Sequence, residues 1–168
     1  MRVPRKIAYD VLESPLGSLC IFFGDEGLYG VHFGLESIAK LDEELTEGSL
    51  LARDAYSCRD AYDQLREYFY DGRRSFDLMI DVLGTAFQRD VWSALQKIPY
   101  GEIRTYADIA VEIDNPKAVR AVGQANRRNQ IPIVVPCHRV IGKDGSLVGY
   151  GGDHTDRKDW LLRHEGAY

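Results

Sequence analysis

The sequence predicts an α+β protein: a small N-terminal strand-rich α+β domain followed by a mainly helical, winged helix-turn-helix-like domain. Residues 6–33 alternate apolar and polar positions, which is typical of strands. Residues 85–127 carry apolar side chains at spacings of three and four, which is typical of helices. The net charge changes between them, from −7 over residues 1–81 (9 basic, 16 acidic) to +2 over residues 82–168 (12 basic, 10 acidic). We therefore expect domains at 1–81 and 85–168.

Three strands are predicted in the first domain, over residues 6–12, 18–23 and 28–33. The segments SPLG and GDEG supply the turns between them. Residues 58–71 predict an amphipathic helix that follows these strands. Its apolar side consists of Ala61, Leu65, Tyr68 and Phe69.

The second domain begins with a helix that Thr85 can cap and that runs to about Lys97. The segment Pro99–Tyr100–Gly101 ends this helix, because proline and glycine interrupt helical periodicity. A final helix is predicted over residues 157–164, and it packs Trp160 and Leu161.

Between these helices lies a helix-turn-helix candidate. Thr105 can cap a short helix, and the tight turn Asp114–Asn115–Pro116 follows it. A second helix is predicted over residues 117–127, with Pro116 suited to its first position. Two short helices joined by about three residues are the arrangement of that motif.

Composition excludes several classes of protein. Hydrophobic residues make up 45% of the chain and charged residues 28%, which argues against disorder. The longest apolar run, about seven residues, is too short to span a bilayer, and the N-terminus lacks the apolar core of a secretory signal. Three cysteines are an odd number, so reduced thiols are the default. We expect a cytoplasmic protein, or a nuclear one in a eukaryote.

Residues 117–143 form a basic segment with a charge of +6 and no acidic residue. Its cations are Lys117, Arg120, Arg127, Arg128, Arg139 and Lys143. Such a local field attracts anionic partners even though the whole chain carries −5. A solvated basic face is the alternative interpretation.

The predicted helix over residues 117–127 combines long cations with very small side chains. Arg120 and Arg127 are the cations, and the small residues are Ala118, Ala121, Gly123 and Ala125. Small residues allow a helix to pack closely on its own neighbours. They equally allow it to enter a groove of DNA, where arginines reach phosphates or the base stack.

Cys137, in the segment IPIVVPCHRVIG, has two open interpretations. Zinc sites need cysteines and histidines at short spacing, and Cys20, Cys58 and Cys137 are far apart. No C-x-x-C motif is present, which argues against disulfide exchange. Cys137 is therefore either a buried core residue or a nucleophile.

A nucleophilic thiol needs a base or positive surroundings, and His138 and Arg139 follow Cys137 directly. Adjacent side chains of a strand point to opposite faces. His138 therefore reaches the sulfur only if Pro136 bends the chain, or through a water molecule. Glu165, placed in the last helix, could orient His138 as the third member of a triad.

Four sequence blocks in register resemble one family. The blocks GEIRTYADIA, NPKAVRAVGQAN, PCHRVIG and WLLRHEG lie in order between about Phe87 and Gly166. They resemble the O6-alkylguanine-DNA alkyltransferases, also called methylated-DNA–protein-cysteine methyltransferases. SPLG followed by GL in residues 14–28 resembles the N-terminal domain of that family more weakly.

The resemblance implies a role for each matching residue of a catalytic group. Cys137 accepts the alkyl group, while His138 and Glu165 relay its proton through a water molecule. Tyr106 supplies a proton to the leaving guanine. Asn129 links the recognition helix to the active site.

The resemblance also implies a DNA-binding surface and a guanine pocket. Arg120 enters the duplex where the damaged base has been flipped out. The other residues expected at the DNA are Ala118, Ala121, Gly123, Arg127 and Tyr106, and those expected at the pocket are Val140, Tyr150, Gly151 and Pro132. Two departures from the family pattern are Gln130, where a proline is usual, and a loop at 151–157 that is one residue longer.

The function expected from the resemblance is repair of double-stranded DNA that contains O6-alkylguanine, by a monomer with no cofactor, metal or membrane partner. The product is a thioether, which thiol–disulfide exchange cannot release. We therefore expect a single-turnover methyltransferase. The rivals are a helix-turn-helix regulator, which needs no reactive cysteine, and a thiol hydrolase, which turns over many times.

Overall fold

The computed structural model describes residues 5–45, 47–147 and 155–168. The chain divides into two compact units, residues 1–83 and 84–168. The first is rich in strands and the second in helices, which confirms the α+β class. In the part of the chain that the structure describes, no helix is long and apolar enough to cross a bilayer.

The N-terminal unit is built on a four-stranded sheet in the order β3-β2-β1-β4. The strands are β1 (Lys6–Ser14), β2 (Gly17–Phe23), β3 (Leu28–Phe33) and β4 (Leu50–Arg53). The three predicted strands are present and antiparallel, whereas β4 lies parallel to β1 and was not predicted. A parallel strand needs a crossover, which contains the equally unpredicted helix α1 (Glu36–Glu44).

Helix α2 (Ala55–Tyr70) packs on this sheet and buries the predicted apolar side. It begins three residues before the predicted start, because the side chain of Asp54 accepts a hydrogen bond from the amide of Ser57 and caps the helix. The thiols of Cys20 and Cys58 are both buried in this unit.

The C-terminal unit opens with α3 (Ala86–Gln96) and α4 (Tyr106–Glu112), and both begin at the predicted threonine caps. In each helix the threonine and a side chain three residues later form a reciprocal capping box. The indole Nε1 of Trp92 on α3 donates a hydrogen bond to the carbonyl of Ala125, at 2.8 Å. This bond fixes α3 against the helix that carries the basic residues.

That basic helix, α5 (Val119–Arg127), begins later than predicted. The amide of Ala118 bonds to the carbonyl of Asn115, so residues 115–118 form a separate turn and Pro116 lies outside the helix. Asp114 adopts a left-handed conformation with φ of 59° just before this turn. The two helices are therefore linked by a longer turn than the sequence predicted.

The remaining elements place the cysteine. Cys137–Arg139 forms one turn of 3-10 helix and leads into β6 (Val140–Ile141), which pairs in parallel with β5 (Arg104–Thr105). Because α4 begins immediately after β5, this pairing brings Tyr106 close to Cys137. Helix α6 (Thr155–His164) closes the unit.

Candidate active site and cationic helix

Cys137 lies in the interior of the C-terminal unit, with only 3% of its surface exposed. The chain does not continue as a strand after Pro136, because residues 137–139 form a helical turn. The amide of Cys137 donates to the carbonyl of Val135 at 2.8 Å, which holds the entry to that turn. The turn also directs the next two side chains, His138 and Arg139, into the interior.

Glu165 receives both of these side chains. Nε2 of His138 lies 2.7 Å from Oε2 of Glu165, and Arg139 donates to the same carboxylate from Nε at 2.8 Å and from Nη2 at 3.0 Å. Arg139 also donates from Nη1 to the carbonyl of Ile98. The placement of Glu165 inside the last helix was wrong: it follows the end of α6 at His164.

The prediction for Arg139 was also wrong. We expected it to be one of the cations of an exposed basic segment, but its side chain is buried and paired with Glu165. Its partner lies 26 residues away in the chain, beyond the range of any local pattern. The exposed charge of residues 117–143 is therefore +5, from Lys117, Arg120, Arg127, Arg128 and Lys143.

The charges of this cluster follow from its geometry. Burial alone would raise the pKa of Glu165, but the hydrogen bonds and charges of His138 and Arg139 outweigh it and hold the pKa well below its usual range. The carboxylate is therefore ionised and accepts, so Nε2 of His138 carries a proton. Burial lowers the pKa of His138 despite the carboxylate, which leaves a neutral imidazole able to take up a proton at Nδ1.

The thiol itself is not activated in the resting protein. Burial raises the pKa of Cys137 to about 11, although Asn129 and Lys158 act in the opposite direction. On the order of one thiol in ten thousand is ionised at pH 7 with such a pKa. Reaction therefore requires a neighbouring group that takes the proton and a charge that stabilises the thiolate.

Tyr106 is half-buried at the start of α4. Burial, with the neighbouring Cys137, raises the pKa of its phenol to about 12, while Arg127 acts against this rise. The hydroxyl therefore keeps its proton at neutral pH and can donate it to a bound group. The structure thus places Tyr106 near Cys137.

Asn129 and Asn126 connect α5 to the segment that leads to Cys137. Nδ2 of Asn129 donates to the carbonyl of Val135 at 2.8 Å, and its Oδ1 accepts from the amide of Ile131 at 3.0 Å. Nδ2 of Asn126 donates to the carbonyl of Cys137 at 3.3 Å. Sequence reasoning missed Asn126, although a polar residue on the buried side of a helix is a signal that could have identified it.

Lys158 was also missed, and its side chain is fully buried. Its Nζ donates to the carbonyl of Val140 and lies 5.8 Å from the centroid of the Tyr106 ring. Lys158 shares one helical side with Leu161 and Leu162, at i+3 and i+4, and both leucines are fully buried. A lysine on the same side of the helix as two leucines was the sequence pattern that could have identified Lys158 as buried.

Helix α5 presents its cations and small residues to solvent. Arg120, Ala121 and Arg127 are exposed, and Ala118 and Gly123 are half-buried. A methyl group added at Gly123 would meet no atom within 4 Å, so the glycine does not serve close packing within this chain. Ala125, by contrast, is buried against α3.

The expected pocket is described in part. Val140 is buried with its carbonyl bonded to Lys158, and Pro132 is half-buried. Tyr150 and Gly151 lie outside the described residues, as does most of the longer loop at 151–157. Gln130 is exposed, and its side chain donates to the carbonyl of Arg128 at 3.2 Å, so this departure lies at the surface.

The fold and the site define a two-unit α+β protein with a buried cysteine, a histidine–glutamate pair beside it and a cationic helix. Residues 7–82 match the family model "6-O-methylguanine DNA methyltransferase, ribonuclease-like domain". Residues 86–167 match "6-O-methylguanine DNA methyltransferase, DNA binding domain". The chain belongs to the 6-O-methylguanine DNA methyltransferase family.

Individual relatives match over nearly the whole chain. The constitutive methylated-DNA–protein-cysteine methyltransferase of Bacillus subtilis is 45% identical over 157 residues, which is 94% of each chain. The methylated-DNA–protein-cysteine methyltransferase of Methanosarcina acetivorans is also 45% identical, over 95% of this chain and 98% of its own. The structure of Mycobacterium tuberculosis OGT in complex with DNA has a TM-score of 0.80 and 42% identity, over 95% of this chain and 93% of that one.

Proposed function

We propose that this protein repairs O6-alkylguanine in double-stranded DNA by transferring the alkyl group irreversibly to Sγ of Cys137. The observation that carries the proposal is the buried Cys137 beside the His138–Glu165 pair, 2.7 Å apart. This arrangement occurs in a chain 45% identical to methylated-DNA–protein-cysteine methyltransferases. Transfer to cysteine is the activity that those names describe.

DNA binding is assigned to α4 and α5 acting as a helix-turn-helix, with α5 as the recognition helix. A related structure is a complex with DNA, which supports this partner. The exposed cations of residues 117–143 neutralise phosphates without reading sequence. The exposed, small side chain of Ala121 and the absence of a side chain at the half-buried Gly123 let the backbone of α5 approach the groove closely.

The target atom faces the partner base, so the damaged nucleotide must leave the stack before it can react. Flipping costs a few kcal/mol, and less for a poorly paired base. Arg120 is exposed on the first turn of α5, where its side chain can fill the vacated space. The base then enters the pocket to which the resemblance assigns Val140 and Pro132, as well as Tyr150 and Gly151, which lie outside the described residues.

The thiolate forms by a proton relay. The Sγ proton of Cys137 passes through a water molecule to Nδ1 of His138, since Nε2 is held by Glu165. The carboxylate stabilises the resulting imidazolium, because opposite charges then lie 2.7 Å apart in the interior. Asn129 assists by hydrogen bonding, which favours the ionised sulfur.

Transfer is a displacement at the saturated alkyl carbon. The sulfur lone pair forms the S–C bond, the C–O6 bond breaks, and its electron pair remains on the guanine. Tyr106 donates its phenolic proton to N3 as this charge develops, which is general-acid assistance. The proton on His138 returns through solvent to the tyrosine, so the step balances without a cofactor.

Stoichiometry tests the proposal most directly. Intact-protein mass should be measured after incubation with excess duplex DNA containing O6-methylguanine, with Cys137→Ser as the matched control. We expect a gain of one methyl group per molecule, located on the peptide that contains Cys137. Sustained turnover would favour a thiol hydrolase, and tight sequence-specific binding without a mass change would favour a regulator.

A further inference from the structure

The mechanism above leaves Lys158, a buried ionisable side chain of the C-terminal unit, unused. Lys158 is fully buried, although taking an ammonium group out of water costs several kcal/mol unless its charge is compensated. Its Nζ donates to the carbonyl of Val140 and lies within cation–π range of the Tyr106 ring, at 5.8 Å. Both neighbours belong to the reaction site.

We propose that Lys158 is a positioning residue for alkyl transfer, whose ammonium group supplies the positive charge that stabilises the Cys137 thiolate. The inference rests on the proposed function. Lys158 comes from α6, Cys137 from the turn before β6 and Tyr106 from α4, so three elements converge on this charge. The positive charge of Lys158 acts to lower the pKa of Cys137, and the negative charge of a Cys137 thiolate acts to raise the pKa of Lys158.

A fixed charge fits this position better than a proton acceptor. Burial lowers the pKa of Lys158 to about 8, which still leaves the amine mostly protonated at pH 7. An amine that is already protonated has no lone pair with which to accept the Sγ proton. The Sγ proton therefore goes to His138, and Lys158 neither gains nor loses a proton during transfer.

The same charge serves the second half of the reaction. When Tyr106 gives its proton to the guanine, a phenolate remains in a site that already holds the anionic Glu165. Lys158 lies against the Tyr106 ring and offsets that charge until the tyrosine is reprotonated. Among the described residues, the other charged or ionisable groups around the site are His138 and Arg139, both bonded to Glu165, and Arg127, which acts on Tyr106.

This pairing predicts a specific pH profile. The reactive species, a thiolate beside an imidazolium and an ammonium, holds the same number of protons as the resting thiol beside a neutral imidazole and an ammonium. Its population is therefore constant around neutral pH and falls above about pH 8, where Lys158 loses its charge. Without the lysine this fall is absent.

The test compares Lys158→Met with the wild type. Each protein is treated with free O6-alkylguanine base and, separately, with iodoacetamide, an alkylating reagent that needs no guanine recognition. Alkylation of Cys137 is followed by peptide mass. We expect a rate at least about tenfold lower at pH 7 for both reagents, equivalent to one pKa unit. The fall above about pH 8 should be absent in the variant.

Two variants separate charge from structure. Lys158→Arg keeps a charge that does not titrate, so it should retain most of the rate at pH 7 and lack the fall above about pH 8. Lys97→Met removes an exposed lysine of the same unit and should change neither. Circular dichroism checks that each variant is folded, and Lys158→Gln replaces Lys158→Met if the methionine variant is not.

Loss of rate in Lys158→Met with the fall above about pH 8 retained would reduce Lys158 to a structural role and overturn the inference. An unchanged rate and profile would overturn it equally. Failure of the proposed function itself gives a different result: the wild type would transfer no alkyl group from guanine, yet iodoacetamide would still report the pH profile of Cys137.

Discussion

Nε2 of His138 and Oε2 of Glu165 lie 2.7 Å apart, and both side chains are fully buried. The carboxylate also holds Arg139, so three charged or ionisable groups share one interior site. This pairing fixes the tautomer of His138 and directs its other ring nitrogen toward the role of proton acceptor. We therefore expect the loss of any member to affect both stability and alkyl transfer.

Replacing Cys137 with serine or alanine should abolish alkyl transfer and leave DNA affinity within about twofold, since affinity comes from surface cations. Intact mass and a binding titration on the same protein provide the two measurements. Alkyl transfer that persists in the alanine variant would contradict the assignment of the nucleophile.

Glu165→Gln should destabilise the protein by about 3 kcal/mol, because it leaves the buried guanidinium of Arg139 without its countercharge. Chemical denaturation of the two proteins at pH 7 measures this difference. Arg163→Gln, at an exposed ion pair on α6, is the matched control and should cost less than about 1 kcal/mol.

The same pair predicts a pH dependence of the free energy of unfolding. The pKa of Glu165 is lower in the folded than in the unfolded protein, so its stabilising contribution is complete above the unfolded value of 4.5. It is lost progressively as the pH falls below that value. Between about pH 5 and pH 3 the wild type should lose more stability than Glu165→Gln; parallel curves would show that this carboxylate is not the linked group.

Tyr106→Phe should slow transfer by about 100-fold, because it removes the proton that assists the leaving guanine. DNA affinity should change little, since the ring remains. Single-turnover kinetics on duplex DNA give the rate, and thermal unfolding controls for packing. Wild-type rates in the phenylalanine variant would remove Tyr106 from the role of general acid.

Arg120→Ala should reduce the transfer rate on duplex DNA at least about tenfold and leave the rate on a free O6-alkylguanine base nearly unchanged, because only the duplex requires flipping. Arg128→Ala is the matched control, since it removes an exposed cation just beyond the end of α5. The Arg128→Ala variant should bind duplex DNA more weakly and with a smaller salt dependence, but it should not show a loss of transfer rate that is confined to duplex DNA. Equal losses on both substrates would argue against a flipping role.

Gly123→Ala separates stability from DNA approach. Its added methyl group meets no atom of the chain, and alanine stabilises a helix by roughly 0.5–1 kcal/mol relative to glycine. We expect a more stable protein that binds duplex DNA more weakly, with an unchanged rate on free base. Unaltered DNA affinity would place the groove elsewhere on the surface.

The local elements could be predicted from the sequence because their signals lie within a few residues. Thr85 and Thr105 start α3 and α4 through capping boxes formed with the third residue of each helix. The alternation of β1, β2 and β3 and the apolar side of α2 are equally short-range. The small residues and cations of α5 likewise indicated a candidate DNA-binding surface, and the PCHRV segment indicated Cys137 as the candidate nucleophile.

Only the tertiary structure decided which groups share the interior. Arg139 belonged to an exposed basic segment by sequence, but a carboxylate 26 residues away holds it inside. Lys158 and Asn126 were missed because the burial of a single polar residue depends on the elements that pack around it. Strand β4 was missed for a similar reason, since it joins the edge of the sheet beside β1 and is not part of a hairpin. Caps and periodicity act within one or two helical turns, whereas charge compensation and pKa depend on groups that meet only when distant segments pack together.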